Sequence, residues 1–239
     1  MTDIQNHKLA NLARQELKRQ EQRRQILVSD SEKALDLILD APSPATLIQS
    51  FPDQDLYYLM HEIGVHDFAP VLAMANSGQW EYILDVEVWD DDRLDTDLMT
   101  QVFSLLFKAD PQRLLRWTMK EKPDFFEFYL FKNMQVVIRE HDEVPPEDFD
   151  DYITLDDKFY FRFPNKRPPN TEDGSVGEWP AELLPDDLPL ETQEVQDEAA
   201  ELIEQMLRAV AQMDLTVFHG LLLETCGILP RRQKKSSSG

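Results

Sequence analysis

The chain has 239 residues, 42% of them hydrophobic and 29% charged, enough apolar material for one sizeable core or two small ones. Its 46 acids against 24 bases leave a formal net charge of −22, a field that works against phosphate backbones and anionic membrane surfaces and so excludes a general nucleic-acid binder. A single cysteine, Cys226, excludes an internal disulfide, and no window reaches the roughly 18 consecutive apolar residues of a membrane span. The N-terminus is polar where a secretory leader needs an apolar stretch, so a reducing, cytoplasmic compartment is expected.

The charge is unevenly spread. Residues 1–28 carry six bases (Lys8, Arg14, Lys18, Arg19, Arg23, Arg24) against three acids, and Arg231, Arg232, Lys234 and Lys235 add four more bases. Once these +3 and +4 ends are set aside, residues 29–230 hold −29 of charge. Basic arms of this kind either anchor to an anionic partner or are solvated ends that fold back on the acidic body.

In chain order, Leu9 to Ile26 is built of strong helix formers, with a narrow apolar stripe at Leu9, Leu12, Ala13 and Leu17 that predicts a lightly docked helix. Ser29 with Glu32 three residues on matches a capping box and places a helix over Ala34 to Leu39. Pro44 suits the first turn of a short helix with Leu47 and Ile48, and Pro52 opens another that Gly64 stops. Helices over Phe68 to Ala75 and Gln79 to about Val88 follow, joined by the turn residues Asn76, Ser77 and Gly78.

Leu94 to Phe107 has helical spacing, and Pro111 starts the next helix with Leu114, Leu115 and Trp117. From Phe125 to Ile138 nearly every side would be apolar, which predicts a central helix with Phe126, Leu130 and Val137 inaccessible. Glu140 to Asp157 then brings nine acids and no lysine or arginine. Within about 152–163, Tyr152 to Leu155 and Phe159 to Phe163 read as two strands of a hairpin, the only strand expected. Residues 164–190 read as an exposed connection rich in Pro, Asp, Glu and Asn. Val195, Ala199, Leu202, Met206, Ala209 and Met213 predict a long helix from near Thr192, with a last helix over about Leu215 to Thr225.

PATLIQSFPDQDLYYL at 44–59 and PQRLLRWTMKEKPDFFEFYL at 111–130 share two prolines, paired apolars and an aromatic helix, a degenerate repeat. The expected fold is therefore mainly α: an irregular, superhelical, repeat-like stack of short helices with one small β-hairpin. Its parts are a basic helical arm (1–28), a helical-stack core (29–140), an acidic segment with hairpin and connection (141–190), a helix pair packing on the core (191–230) and a basic disordered tail (231–239).

The runs LILDAPSPATLIQSFPDQDLYYLMHEIG, QWEYILDVEVWDDDRLD, YITLDDKFYFRF and FHGLLLETCGILP, in that order between Ala34 and Pro230, resemble an uncharacterised bacterial family known only as a domain of unknown function. Members of that family continue past the equivalent of Pro230 with an acidic helical segment; the RRQKKSSSG here implies a shortened form. The proline-led helices are more distantly similar to the cytosolic superhelical N-terminal domain of bacterial magnesium transporters, a likeness of architecture only.

Chemistry is sparse. Seven scattered glycines form no phosphate loop or dinucleotide fingerprint. Among the five histidines, His61 and His66 lie across the Gly64 break and would not share a helix face. Asp90, Asp91, Asp92, Asp95 and Asp97 lack the glycine and closing glutamate of a calcium loop and read better as a solvated helix start. Cys226 sits in an apolar run as a small buried hydrophobe, and Trp80, Tyr82 and Trp89 suit a core more than an interaction hot spot. The sequence nominates no catalytic, cofactor-binding or metal-ligating set and no cofactor. It suggests an interaction or regulatory module with a protein partner, no nucleic acid and no membrane span. Divalent-cation sensing and an enzyme with an unrecognised site are the alternatives, and the oligomeric state is open.

Pro168 to Leu207 holds twelve acids and no lysine or arginine, so the connection is expected to be mobile in the isolated protein and to order on a basic partner. Amide hydrogen exchange checks this: little protection across 170–187 at physiological salt is expected, whereas strong protection would mean a packed segment.

Overall fold

A computed structural model describes residues 2–139, 152–164 and 190–226. The chain is mainly α with a small β part, as its apolar spacing predicted. It divides into two compact units, Met1–Arg93 with Val102–Leu114, and Leu94–Gln101 with the chain from Leu115 onward.

The first unit begins with α1 (Thr2–Leu27), α2 (Ser31–Leu39), α3 (Pro44–Ile48), α4 (Asp53–Ile63), α5 (Ala69–Met74) and α6 (Ser77–Glu87). Proline and capping residues set these starts. Pro44 is the first residue of α3, Pro52 precedes α4, and Gly64 leaves α4 at φ 113°, a conformation that side-chain-bearing residues rarely adopt. The helix after α1 is capped one residue later than the Ser29 pattern predicts. The Asp30 carboxylate accepts from the Lys33 backbone N–H at 3.1 Å, while the Ser29 hydroxyl donates to the Gln25 carbonyl at 2.8 Å and closes α1 instead. Asn76 is likewise a cap rather than a turn residue, exchanging hydrogen bonds with Gln79 in a full capping box.

Helices this short leave many unpaired backbone groups, and the core supplies side chains to meet them. Gln79, 1% exposed, donates its amide to the carbonyls of Ile48 (2.9 Å) and Phe51 (3.1 Å) beyond its own cap. The Trp80 indole donates to the Leu72 carbonyl at 2.9 Å, and Arg113 stacks 3.9 Å above that indole while donating to the Ala75 carbonyl at 2.6 Å. Ile38, Ile48, Leu56, Phe68, Leu84 and Phe103 fill the space between. A two-residue pair, β1 (Trp89–Asp90) and β2 (Arg93–Leu94), turns at Asp91 with φ 54° and adds strand outside the 152–163 hairpin, the only strand expected. The units divide between Arg93 and Leu94 in β2, and again within α7 (Thr96–Ala109) and α8 (Pro111–Lys120).

The second unit holds α9 (Pro123–Asn133), β3 (Gln135–Ile138), β4 (Ile153–Thr154), β5 (Phe159–Arg162), α10 (Leu190–Met213) and α11 (Leu215–Thr225). The predicted central helix over Phe125 to Ile138 is thus overturned in its second half. Helix α9 ends at Asn133, Met134 is extended, and Val136, Val137 and Ile138 form an edge strand, as β-branched residues favour. Val137, expected to be inaccessible, is 38% exposed. Phe126 and Leu130 are buried as predicted, and Phe131 points to solvent.

The expected hairpin is present with shorter strands, and a third strand joins it. Strand β5 pairs antiparallel with β4 (Ile153 opposite Phe161) and, on its other edge, with β3 (Val136 opposite Phe161), giving the order β3-β5-β4. Central β5 buries Phe159, Tyr160 and Phe161, with α11 packed against β3 and α9. Helices α10 and α11 pair, burying Ala199, Ile203, Met206 and Val210 with Phe218 and Leu222; of the expected stripe Ala199, Leu202 and Met206 are buried, whereas Met213 is 49% exposed. The exposed connection and the basic tail expected from the sequence lie outside the described residues.

Phe126→Ala removes a ring that is 1% exposed, and the expected loss is on the order of 3 to 5 kcal/mol by denaturant unfolding. Phe131→Ala, at a ring 63% exposed, should cost less than about 0.5 kcal/mol.

Candidate functional site

Helices α4 and α6 pack together, and their aromatic and charged side chains meet along one seam. Tyr57 and His61 stand one turn apart on α4, with ring centroids 4.7 Å apart and nearly perpendicular. Tyr57 also meets Tyr82 of α6 at 6.0 Å and the neighbouring Tyr58 at 5.7 Å, both edge to face. One turn along, His61 Nε2 lies 2.7 Å from Glu87 Oε1. A carboxylate only accepts, so Nε2 is the donor in this pair.

The Glu87 carboxylate also acts on the Tyr57 phenol. Burial and this carboxylate together push the Tyr57 phenol up to about 12. Tyr58 remains 59% exposed at the rim, and Val86 and Trp89 are exposed at 43% and 45%. From Ala34 to Asp92 the chain has twelve acids and neither lysine nor arginine. Tyrosine faces set in a field of carboxylates suit a lysine or arginine side chain, held by ring quadrupole and charge together.

A second cluster lies in the other unit, where two of the sequence signatures meet. His219 of α11 places Nε2 2.6 Å from Asp156 Oδ2, while Asp156 Oδ1 accepts the backbone N–H groups of Lys158 (3.0 Å) and Phe159 (2.9 Å). The imidazole rests 5.1 Å from the Phe159 ring. Next in the turn, Asp157 adopts φ 58° and takes hydrogen bonds from Arg139 and Tyr160. Asp156 is committed to the turn and to His219, so the pair latches α11 to the β4–β5 turn. Cys226 is two turns along α11, its thiol 3.6 Å from the Val136 carbonyl and its pKa raised by burial, a poor nucleophile.

The other sequence candidates disperse. His61 is engaged with Glu87, and His66 is exposed. Asp90, Asp91 and Asp92 stand exposed at the β1–β2 turn, whereas Asp95 caps α7, accepting from the N–H groups of Asp97 (2.7 Å) and Leu98 (3.0 Å). Burial, and secondarily Asp95, raises the Asp97 carboxyl above the usual range. Among the described residues, no group of three or more His, Cys, Asp or Glu side chains could hold a metal ion. Trp80 is core while Trp89 is surface, so the aromatic trio forms no single hot spot. The α4–α6 seam was missed by motif reasoning; the lack of bases from Ala34 to Asp92 was its legible signal.

The chain belongs to the family of unknown function DUF6178, whose model matches residues 12–234. No curated protein and no solved structure matches it. Among the described residues, no helix is long and apolar enough to cross a membrane.

The raised Tyr57 value has a testable sign. The folded phenol titrates above the unfolded value of about 10, so its contribution to stability is complete below that pH and is lost as pH rises toward 12. The difference between ultraviolet titrations of the wild type and Tyr57→Phe should show one late-ionising phenol, and Glu87→Gln should move it down.

Proposed function

We propose that this chain is a non-catalytic, cytoplasmic protein-interaction module whose α4–α6 surface receives a basic segment of a protein partner. The observation that carries this is the seam of Tyr57, Tyr58, Tyr82 and His61 closed by Glu87, within a 59-residue stretch, Ala34 to Asp92, without a lysine or arginine. Exposed Tyr58 loses little side-chain entropy on binding and offers both a ring face and a hydroxyl. The surrounding carboxylates speed encounter with a cationic partner and repel nucleic acid. The single cysteine and the negative charge support a reducing compartment and a polar partner.

Fluorescence anisotropy with a labelled lysine- and arginine-rich peptide, beside its glutamate counterpart, tests this reading. Binding of the basic peptide alone is expected, weakening between about 50 and 500 mM salt as surface charges are screened. Tyr58→Ala should cost about 1 to 2 kcal/mol of binding, roughly a 5- to 30-fold loss. Binding that ignores salt, or equal binding of the acidic peptide, would overturn the reading. A stabilisation produced by magnesium ions alone would favour cation sensing instead.

A further inference from the structure

Helix α1 is 26 residues long, yet only its last turns are held by the body of the first unit. Ile26 is 2% exposed, and Arg23 Nη1 donates to the Ser50 hydroxyl at 2.8 Å. Every residue from 7 to 15 is exposed, and Leu9, Leu12 and Leu17 are exposed at 63%, 49% and 65%. Helices in proteins draw most of their stability from packing an apolar face, so three exposed leucines on one broad face mark α1 as a helix that is completed by packing. Arg19 and Arg23 bind Glu16 at 2.9 and 3.2 Å and stiffen the stretch between the arm and its anchor. These two guanidinium groups, Arg19 first, hold the Glu16 carboxyl below the usual carboxylate range.

We propose that residues 5–18 of α1 dock on the α4–α6 surface of a second copy of this chain, and reciprocally, forming an arm-exchanged dimer. The inference rests on the reading of that surface given above and names its occupant. Three features select a second copy. The arm carries Lys8, Arg14 and Lys18 against the single acid Glu16, while the α4–α6 surface lies in the stretch with twelve acids and no lysine or arginine. Helix α1 contains no glycine or proline between Thr2 and Leu27, and its end is fixed by Ile26 and Arg23. Folding back onto its own α4–α6 surface would break the helix, whereas a neighbour's surface can be met without bending it. Pairing of two α1 helices with each other would set like charges face to face, which the acidic surface avoids.

The dimensions agree. At 1.5 Å per residue the arm spans about 21 Å, and the 11 residues of α4 span about 16 Å. Leucines would meet the exposed ring of Tyr58 while the flanking cations meet carboxylates. Two identical contacts related by a two-fold axis close on themselves, so the assembly stops at a dimer.

Sedimentation velocity on the full chain tests the exchange. A dimer is expected at low salt, dissociating toward monomer as salt rises. Leu12→Asp with Arg14→Glu disables the arm and Tyr58→Asp disables the surface; both sites are exposed, and circular dichroism checks that each variant remains folded. Each variant alone should be monomeric, and an equimolar mixture should regain a heterodimer through the one intact arm and the one intact surface. A dimer that survives Tyr58→Asp, or a mixture that recovers nothing, overturns the exchange. A wild-type chain that stays monomeric while binding the basic peptide also overturns it and leaves the reading of the α4–α6 surface standing; a chain that binds no peptide and is monomeric removes both.

Discussion

The amide of Gln79 carries the architecture of the first unit. From α2 to α6 the helices are five to eleven residues long, and such a chain exposes a large share of its backbone donors and acceptors; a buried group left unpaired costs about 1 to 3 kcal/mol. Gln79 begins α6 by closing the capping box with Asn76 and in the same position receives the carbonyls of Ile48 and Phe51, where α3 gives way to the next turn. Trp80 and Arg113 do the same for the end of α5. Short helices joined at tight corners are possible here because core side chains replace the hydrogen bonds that longer helices would make for themselves.

This solution explains what was legible in the sequence. Prolines at 44, 52, 111 and 123 stand at or beside helix starts because a missing N–H costs nothing there, and the pattern reads from the residues alone. Asp30 and Ser29 could each have capped α2, and only the path of the backbone decides that Ser29 serves the end of α1. The passage from α9 to β3 carries no glycine or proline. Phe131 to Ile138 keeps apolar residues on both sides of Lys132, Asn133 and Gln135, so periodicity hides the switch from helix to strand; Asn133, which bonds back to the Tyr129 carbonyl, stands at the end of α9.

The candidate surface was less legible because it is made by pairing across helices. Tyr57 and His61 show their one-turn spacing in sequence, but Glu87 comes 26 residues after His61 and belongs to another helix. Likewise His219 and Asp156, 63 residues apart, are read as parts of separate motifs until the fold joins them. Charge was the exception. A stretch of 59 residues without a base, Ala34 to Asp92, is visible before any coordinate is known, and the fold sets exposed Tyr58 and half-buried Tyr57 and Tyr82 within it.

The strand order in the second unit bears on solubility. The segment Phe159 to Phe161 is the kind of aromatic, strand-forming run that stacks into cross-β assemblies when laid bare. Here it occupies the centre of the described sheet, with both edges paired. The outer strands are four and two residues long and are bordered by Arg139 and by Asp156, Asp157 and Lys158. Short flanks with charges at their ends offer little template to an incoming strand, so this aromatic run is shielded by position as well as by burial.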